Sequence, residues 1–500
     1  MFISASQTQR RPIALKWRSS SWTITFVIGL GIAVDLLVYS TIIPVMPFHL
    51  EQLGYSNVAA LTGWLLFAYA SSFPKSALTL FFTVLTATIP IAMFSERYRA
   101  KKFPLIFGLL VLVASQVMLM EAPTYVVMCV ARILQGFGSS MVWVVGLALL
   151  CDSSPTSLIG LQLGLAMCGL SVGIAIGPPV GGLLFGRYGY RGPFIFGITA
   201  TVLDLFGRVI LIERKDALVW GIDPTILSAG RDRITSNFAA VGYDPQDFVT
   251  AEPSTNNSEK PRTTGIDKNL SLLSVIVKLS KSSRALVALF LVFVYGYFSF
   301  SHSFHLANVI SSVVYTSQEP TIALYLQHVW NLDSRAVGLV FLAGVVPTLL
   351  SSPLAGYLSG KNGAEWVTVL SLALALPWWA IIIIQYRLPL FVTAFAVQSF
   401  FTSGVISPLT AELATVSRGL EGVGYAHVYG AFNLVYGIGN SGDCSLSWYK
   451  IYDHIGRGWM ALCLLAIGSV ALSLILAICF VGADPLLHRL RRRFHRDRLE

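Results

Sequence analysis

The chain has 500 residues, of which 55% are hydrophobic and only 12% are charged. Soluble proteins carry about 25% charged residues, so this chain lacks the polar surface that a folded protein needs in water. A nuclear factor, a secreted disulfide-stabilised protein and a cytosolic enzyme are therefore excluded, and the composition predicts a membrane protein. The net charge of +10 comes from 35 basic and 25 acidic residues, whose positions matter more than their sum.

Apolar segments long enough to cross a bilayer recur through the chain. A hydrocarbon core of about 30 Å requires about 20 helical residues. Twelve apolar runs approach or exceed that length, which predicts an all-α membrane protein with twelve transmembrane helices. In chain order they are 22–45, 60–94, 104–120, 124–150, 158–186, 192–212, 284–330, 336–358, 366–385, 388–412, 423–447 and 457–482, with a turn near Asn331–Arg335 after the seventh.

A polar segment divides these spans into two groups of six. Residues 213–283 are rich in Asp, Ser, Thr and Pro, and they predict a cytosolic linker rather than a domain. We therefore expect two six-helix bundles, at 22–212 and 284–482. The remaining residues are expected to form cytosolic tails, 1–21 at the N terminus and the basic segment 483–500 at the C terminus.

Basic residues predict the orientation in the membrane, because cytosolic loops carry an excess of Lys and Arg. Basic clusters precede the first span, follow the second span and follow the last. They are Arg10, Arg11, Lys16 and Arg18; Arg97, Arg99, Lys101 and Lys102; and the arginines of 489–498. Both termini are thus expected in the cytosol, with the C-terminal tail facing anionic lipid. Arg187 and Arg191 run against this rule, and no cleavage site follows the first span.

Two of the apolar runs are too long for a single crossing. The run 60–94 has 35 residues and contains Lys75. The seventh span is extended by 298–314, which brings His302 and His305 with it.

We predict that 73–87 and 300–313 are insertions without function, either extra loops outside the bundle or unremoved intron sequence. The alternative is that the two histidines form a proton relay. The stretch 440–450, with the sequence NSGDCSLSWYK, is also too polar to fit a span comfortably.

Motifs for other mechanisms do not occur in the sequence. The pair Gly360-Lys361 lacks the remaining residues of a phosphate-binding loop, so an ATP-driven transporter of that class is excluded. Gly169-Leu-Ser171-Val-Gly173 has the letters of a hydrolase nucleophile elbow but lies within an apolar span, and we expect no enzyme activity. The cysteines show no metal-ligand spacing, so neither a metal nor a cofactor is expected.

Glycines recur every four residues in the fifth span, at positions 169, 173, 177 and 181. This spacing predicts one smooth helix face that a neighbouring helix can approach closely. Pro178 and Pro179 remove backbone donors in the same helix, which predicts a bend or a looser segment there. We expect the stripe to serve packing first and gating second.

Several motifs together resemble a known family. The fourth span contains Arg132-Ile-Leu-Gln135-Gly136-Phe-Gly138-Ser139-Ser140, and the fifth contains Gly177-Pro178-Pro179-Val-Gly181-Gly182. In these motifs the chain resembles the major facilitator superfamily, in its twelve-span drug:proton antiporter branch. The stretch from Asp35 to Pro47 and Gln318-Glu319-Pro320 are similar to the vesicular amine transporter-like group and its fungal relatives. The resemblance runs from about residue 25 to 482, apart from the linker and the two insertions.

The chain departs from the family pattern at three places. The loop after the second span keeps a carboxylate as Glu96, followed by Arg97, but lacks the family's glycines. The corresponding loop of the second half has Gly360 where the carboxylate stands in the family. Asn433 replaces the Asp that amine transporters have in the eleventh span, so the resemblance does not imply transport of a cationic amine.

Charged residues within the spans carry the predicted mechanism. Asp35 lies about 13 residues into the first helix, near the middle of the bilayer, where a carboxylate can pick up and release protons. The alternative for Asp35 is a neutral or hydrogen-bonded packing residue. The resemblance implies that Glu319 faces the same cavity from the other half, and that Arg132 belongs to a proton-coupling helix. A static structural ion pair is the alternative for Arg132. Asp204 and Arg208 are spaced i,i+4 and are expected to form a structural pair.

The sequence and the resemblance together predict the major facilitator fold and a proton-coupled secondary transporter that exports a drug, toxin or secondary metabolite by alternating access. The residues expected to bind protons or substrate are Asp35, Glu319, Arg132, Gln135 and Asn433; the gating motif is Gly177, Pro178, Pro179 and Gly181; the cytosolic loop motif is Glu96 and Arg97. Expected partners are a small-molecule substrate, protons and the lipid bilayer, with no nucleic acid. We expect a monomer in the plasma membrane or a vacuolar or vesicle membrane.

Two alternatives remain open at the level of the sequence. The first is a proton-coupled importer or exchanger of organic acids or sugars. The second is a degenerate copy that does not transport, which the carboxylate lost at Gly360 favours. The glycine-proline motif of the fifth span favours exchange over symport.

Overall fold

A computed structural model gives the fold of the chain. It describes residues 12–55, 61–62, 65, 101–225, 278–279, 281–297, 325–326, 329–332, 334–384, 387–420, 423–440, 458–482 and 484–496. The two predicted insertions, the stretch 441–450 and most of the predicted linker lie outside these ranges.

Every regular element in the described ranges is a helix. The helices before the linker, called the N-terminal set, are α1 (Leu15–Arg18), α2 (Ser21–Thr41), α3 (Met46–Gln52), α4 (Lys102–Met120), α5 (Tyr125–Ser153), α6 (Ile159–Tyr188), α7 (Arg191–Ile210) and α8 (Arg214–Leu218). The helices after the linker, called the C-terminal set, are α9 (Ser283–Tyr297), α10 (Ser334–Asn362), α11 (Ala364–Ile381), α12 (Leu388–Ser403), α13 (Ile406–Gly419), α14 (Tyr425–Asn440), α15 (Gly458–Phe480) and α16 (Leu486–Arg496).

Nine helical segments in the described ranges are long and apolar enough to cross a bilayer. They coincide with nine of the twelve predicted spans. The second predicted span lies almost entirely outside the described residues, and the seventh and eleventh do so in part. The all-α membrane fold predicted from the sequence is thus confirmed, and the count of twelve is consistent with it.

The predicted span 388–412 falls within the apolar segment Leu388–Gly419, which consists of two helices, α12 and α13. They meet at Gly404 and Val405, whose N–H groups bond to carbonyls four and three residues earlier. Pro408 lies in the first turn of α13 and has no N–H with which to continue the hydrogen-bond ladder. The break therefore follows from local chemistry that the hydrophobicity of the segment conceals.

Large apolar side chains cover the outside of both sets of helices. Phe26, Leu183 and Leu350 are 70%, 66% and 71% exposed. Such exposure suits a bilayer, where the surrounding acyl chains are as apolar as the side chains themselves and each helix satisfies its own backbone. Between the helices, one hydrophobic cluster includes buried residues of both sets.

The glycine face of α6 lies directly against α2. A Cβ atom on Gly169 would overlap the carbonyl oxygen of Gly29, and one on Gly173 would overlap that of Ala33. The two later glycines of the stripe meet the last turn of α2 in the same way. This is the close approach that the four-residue spacing predicts, and α6 continues as one helix through both prolines of the motif.

The same helix also crosses α10 of the C-terminal set. A Cβ atom on Gly160 would lie 2.7 Å from the carbonyl oxygen of Gly356, and one on Gly164 would lie 2.5 Å from that of Ser352. The two helices therefore touch backbone to backbone near the start of α6. Small residues permit this distance, since no side chain separates the two backbones.

The first residues of the predicted linker 213–283 fold back onto the N-terminal set. Ala217 and Ile222 are buried in a small apolar cluster with Leu15. Apolar contacts of this kind order residues that their polar neighbours would leave in solvent.

Glu213 anchors this segment to the start of α4. Its Oε1 accepts the backbone N–H groups of Lys101 and Lys102, at 2.9 and 2.5 Å. The first N–H groups of a helix have no partner within the helix, so a carboxylate at this position both caps it and complements its dipole.

The basic C-terminal helix α16 is tied to the C-terminal set by ion pairs. Arg489 lies 2.5 Å from Glu365 at the start of α11.

A second buried carboxylate holds the end of α15. Glu412 on α13 pairs with Arg284 at 2.7 Å and also accepts the N–H of Gly482, at 3.1 Å. Gly482 has φ +94°, a backbone conformation that favours glycine and turns the chain out of α15.

The contact between α6 and α2 yields a prediction about stability. Gly173→Ala inserts a methyl group into the backbone of α2, and we expect it to lower the free energy of unfolding by about 1–3 kcal/mol. The melting temperature of the purified protein in detergent measures this. Gly186→Ala is a matched control on the same helix, because no described atom lies within 4 Å of its Cβ position. Equal melting temperatures for the two variants would contradict the close packing.

Candidate functional site

Four charged side chains within the long helices of the N-terminal set are almost completely buried. Asp35 on α2, Arg132 on α5, and Asp204 with Arg208 on α7 are each at most 2% exposed. Ionisable groups inside transmembrane helices are costly unless they find partners, and they often mark the pathways of ions and substrates. The candidate site is therefore built around these four residues.

Asp35 is held by two hydrogen bonds from α5. The hydroxyl of Ser139 donates to Asp35 Oδ2 at 2.6 Å, and the indole Nε1–H of Trp143 donates to the same oxygen at 2.9 Å. The two donors are four residues apart, so they lie on one face of α5. Hydrogen bonds to an ionised oxygen are stronger than neutral ones, and these two stabilise the charged form of the carboxylate.

Arg132 lies farther along the contact between α2 and α5. Its Nη1 donates to Gln135 Oε1 at 3.0 Å, and the carbon of its guanidinium lies 5.9 Å from the ring centroid of Tyr39. A cation over an aromatic ring is attracted by the negative face of the ring. Tyr39 follows Asp35 by one helical turn, so the arginine and the carboxylate occupy neighbouring levels of the same contact.

The polar residues of α5 form a single buried row. Arg132, Gln135, Ser139 and Trp143 succeed one another at intervals of three and four residues, and their exposures are 0%, 1%, 6% and 4%. We call these four residues the α5 polar row. It faces α2, which presents Asp35 to it, so that charges and donors are concentrated where the two helices meet.

Asp204 and Arg208 form a buried ion pair within α7. Arg208 Nε lies 3.3 Å from Asp204 Oδ1, and the two residues are 0–1% exposed. This is the i,i+4 pair that the sequence predicts. Burial of both partners means that each charge depends on its immediate neighbours for stabilisation.

The C-terminal set reaches the site through Asn433. Its side-chain Nδ2 donates to Ser140 Oγ at 3.2 Å, across the contact between α14 and α5. Ser140 adjoins Ser139, the residue that donates to Asp35. The predicted residue Asn433 is therefore next to the helix that holds the buried carboxylate.

Two further hydrogen bonds join α6 to α10, at residues that follow the glycine crossing along α6. Thr348 Oγ1 donates to Ser171 Oγ at 2.7 Å, and the Cys168 thiol donates to the carbonyl of Leu349 at 3.2 Å. Together with the glycine contacts, they extend the contact between the two sets of helices from the start of α6 to its middle.

The structure brings some of the predicted site residues together and leaves others elsewhere. Asp35, Arg132 and Gln135 share the contact between α2 and α5, and Asn433 adjoins it. The residues of the glycine-proline motif, Gly177, Pro178, Pro179 and Gly181, belong to α6, where the glycines pack on the end of α2. Glu319, Glu96 and Arg97 lie outside the described residues.

Sequence reasoning missed three contributors, Ser139, Trp143 and Tyr39. The signal for the first two was present, because they continue the spacing that begins at Arg132 and Gln135. A row of polar residues at helical spacing within an apolar span indicates a buried polar face. Tyr39 carried no such signal, since an aromatic residue in a span usually contributes only to packing.

No metal cluster marks this site in the described part of the chain. No group of three His, Cys, Asp or Glu residues there is arranged to hold a metal ion. A cavity of about 660 Å³ lies in the C-terminal set, and its lining includes Leu354, Trp366 and Leu370. These three side chains are 48–57% exposed.

Comparisons with known proteins agree on one family. The Major Facilitator Superfamily profile matches residues 28–309. An uncharacterized MFS-type transporter of Schizosaccharomyces pombe is 25% identical over 357 residues, which cover 70% of this chain and 69% of that protein. The vesicular acetylcholine transporter of Rattus norvegicus is 36% identical over 110 residues, 22% of this chain and 20% of that one. The solved structure of the human organic anion transporter MFSD10 (TETRAN) has a TM-score of 0.61 at 14% identity, with 91% of this chain and 99% of that chain covered.

The hydrogen bonds to Asp35 predict unequal effects of two serine substitutions. Ser139→Ala removes a donor to a carboxylate, and we expect it to lower the free energy of unfolding by about 1.5–3 kcal/mol. Ser115→Ala is the control, because that buried hydroxyl donates to the neutral carbonyl of Leu112 and its loss should cost about 0.5–1.5 kcal/mol. Denaturant unfolding in mixed micelles measures both. The difference should shrink in an Asp35→Asn background, and persistence of the full difference there would be inconsistent with the assignment.

Proposed function

The chain belongs to the major facilitator superfamily and is a multi-pass membrane transporter, and from that premise we propose that it exports a small organic molecule in exchange for protons. The observation that carries this proposal is the buried carboxylate of Asp35, which accepts hydrogen bonds from Ser139 and Trp143. A carboxylate in this position has two stable forms, one ionised and one protonated. Switching between them is the elementary step of proton coupling.

The two forms of Asp35 make different demands on α5. The ionised carboxylate binds both donors strongly, which holds α2 against α5. A proton on the carboxylate removes the charge that those donors stabilise, so the same contact weakens. Binding and release of a proton can therefore shift the balance between two helix arrangements.

Arg132 and Gln135 extend this coupling along the α5 polar row. The guanidinium is buried, so it contributes a fixed positive charge one level away from Asp35. A nearby positive charge favours the ionised carboxylate. In this proposal Arg132 is the coupling residue, Gln135 orients it through the 3.0 Å hydrogen bond, and Glu319 is the corresponding carboxylate of the second half.

We infer that transport proceeds by alternating access between two six-helix bundles, 22–212 and 284–482, with 213–283 as the linker. The contact between α6 and α10 supports this, because it is made by glycines and neutral hydrogen bonds. Such a contact can open without exposing a charge. Since it lies where α6 begins, at the expected cytosolic end, the described arrangement corresponds to a conformation that is closed toward the cytosol.

The orientation is supported by a cluster of basic residues at this same end. Lys101 pairs with Asp152, and Lys102 donates to the carbonyl of Leu211 at 2.9 Å. An excess of Lys and Arg is typical of cytosolic loops. We therefore propose that both termini are cytosolic, in a monomer of the plasma membrane or of a vacuolar or vesicle membrane.

The proposed gate is supported by the packing of the glycine-proline motif of α6. Gly177 lies against Ser40 so closely that a Cβ atom there would overlap the serine hydroxyl. A smooth helix face permits sliding between neighbouring helices, while Pro178 and Pro179 remove donors that would stiffen the same segment. We propose that these residues, with Gly181, gate an exchange of substrate for protons.

The proposed substrate class is a drug, toxin or secondary metabolite. The similarity to vesicular acetylcholine transporters supports a small organic substrate. Asn433 is neutral and bonds to Ser140, so this position offers no negative charge to a cationic amine.

A second candidate is exchange of an organic acid, which the buried Arg132 favours. A guanidinium with a planar set of donors is well suited to a carboxylate. Transport assays with substrates of both charges separate the two candidates.

Proton coupling is tested with purified protein in liposomes under an imposed pH gradient. The probes are ethidium as an organic cation and fluorescein as an organic anion. We expect the gradient to accelerate transport of at least one probe by about tenfold or more, and Asp35→Asn to abolish that acceleration. Glu121→Gln is the control, because this carboxylate is half exposed and pairs with the exposed Arg191.

Two outcomes would count against the proposal. Transport that ignores the pH gradient would remove proton coupling altogether. Full gradient-driven transport by Asp35→Asn would leave coupling in place but assign it to another group. The preferred probe identifies the charge class of the substrate.

Alternating access is tested by linking the two sets of helices. The double variant Ser171→Cys with Thr348→Cys puts two thiols where the hydroxyl oxygens are 2.7 Å apart, a distance from which a disulfide can form with small adjustment. We expect oxidation to stop transport and reduction to restore it, while each single variant is unaffected. Undiminished transport by the cross-linked protein would rule out separation of α6 from α10.

A further inference from the structure

The ion pair on α7 has donors that the pair itself does not use. Within the described part of the chain, Arg208 Nη1 and Nη2 and Asp204 Oδ2 have no hydrogen-bond partner. A guanidinium carries five N–H donors, and a buried donor without a partner is unfavourable. A pair that served only to neutralise itself would leave these groups unexplained.

The unused end of Arg208 points at the contact between α2 and α5. A Cβ atom on Gly31 of α2 would overlap Arg208 Nη2, and one on Gly146 of α5 would lie 3.6 Å from Nη1. Glycine at position 31 thus leaves the space that the guanidinium occupies. Arg208 lies against both of the helices that hold Asp35.

The position of Gly31 relates Arg208 to the proton-binding carboxylate. Gly31 precedes Asp35 by one helical turn, a rise of about 6 Å. Side chains of a helix lean toward its N-terminal end, so the Asp35 carboxylate extends toward the level of Gly31. On the other side of Asp35, Arg132 lies at the level of Tyr39. Along α2, the level of Asp35 therefore lies between the levels of two buried guanidinium groups.

We propose that Arg208 is a positioning residue for proton coupling, a counter-charge that stabilises the ionised form of Asp35. Asp204 holds Arg208 in place and offsets part of its charge. When Asp35 takes up a proton, the balance of charge around Arg208 changes and the guanidinium relies on Asp204 alone. The proposal rests on the proposed function only in taking Asp35 as the group that binds the proton.

The other charged groups around this arrangement are few in the described ranges. On the side of α5 the buried charged residue is Arg132, beside Tyr39, and α6 meets α2 through glycines. On the side of α7 the pair Asp204 and Arg208 lies beside Gly31. At the far end of α7, Lys102 donates to the carbonyl of Val209, at 2.6 Å. Arg208 is thus the cation that approaches Asp35 from the expected cytosolic side.

The test measures the protonation of Asp35 without any transport. The full-length protein in lipid nanodiscs is titrated from about pH 4 to 10, and the infrared band of a protonated carboxyl is assigned to Asp35 by its loss in Asp35→Asn. We expect Arg208→Gln to move the midpoint upward by about one to two pH units, since a stabilising positive charge is gone. Arg208→Lys should restore most of the wild-type value.

Asp204→Asn provides a variant with the opposite expected sign. Without Asp204 the full charge of Arg208 acts on Asp35, so the midpoint should move downward. The midpoint of the double variant Arg208→Gln with Asp204→Asn should return toward the wild-type value, because one positive and one negative charge are removed together. A structural role alone would not give opposite shifts for the two single variants.

Each outcome decides the proposal. An unchanged midpoint in both single variants, or shifts of the same sign, would overturn it. So would the absence of the band from both wild type and Arg208→Gln throughout the titration. If the midpoints shift as expected but a pH gradient drives no transport, the assignment of Arg208 stands and the proposed function fails. If the gradient drives transport but the midpoints do not shift, the proposed function stands and the assignment of Arg208 fails.

Discussion

The arrangement of the N-terminal helices depends on the need to stabilise charge inside a membrane. A carboxylate or guanidinium in hydrocarbon has no water to solvate it, so the protein must supply donors, acceptors or counter-charges. Asp35 receives two donors from α5, and Arg132 receives an acceptor and an aromatic face. These requirements fix which faces of α2 and α5 meet, and hence where α7 can pack.

Close packing makes these contacts possible. The hydrogen bonds to Asp35 require α2 to lie near α5, and the proposed counter-charge requires α2 to lie near α7. Gly31 makes room for Arg208, while the glycine stripe of α6 packs against α2. Transmembrane helices associate through close packing and hydrogen bonds, since burial of apolar surface from lipid contributes little. Small residues also join the two sets, where Gly160 meets Gly356.

Sequence reasoning succeeded where a single dominant property determines the structure. Apolar runs located nine spans within the described residues, because hydrocarbon thickness sets the length of a crossing. It did not show the turn at Gly404 within the span 388–412, where the hydrophobicity is continuous, and it missed Trp143 as a donor to Asp35. An indole in an apolar span has the same hydrophobicity whether or not its N–H meets a carboxylate.

The sequence by itself determined the environment of this protein, its helical class and the residues that carry charge into the membrane. Those properties follow from composition and from spacing along one helix, which are local. Only the tertiary structure decided which charges meet. Whether Arg208 serves Asp204 alone or also approaches Asp35 depends on the packing of three helices around Gly31, and on a distance between residues far apart in the chain. Such distances arise when helices associate, and no single segment encodes them.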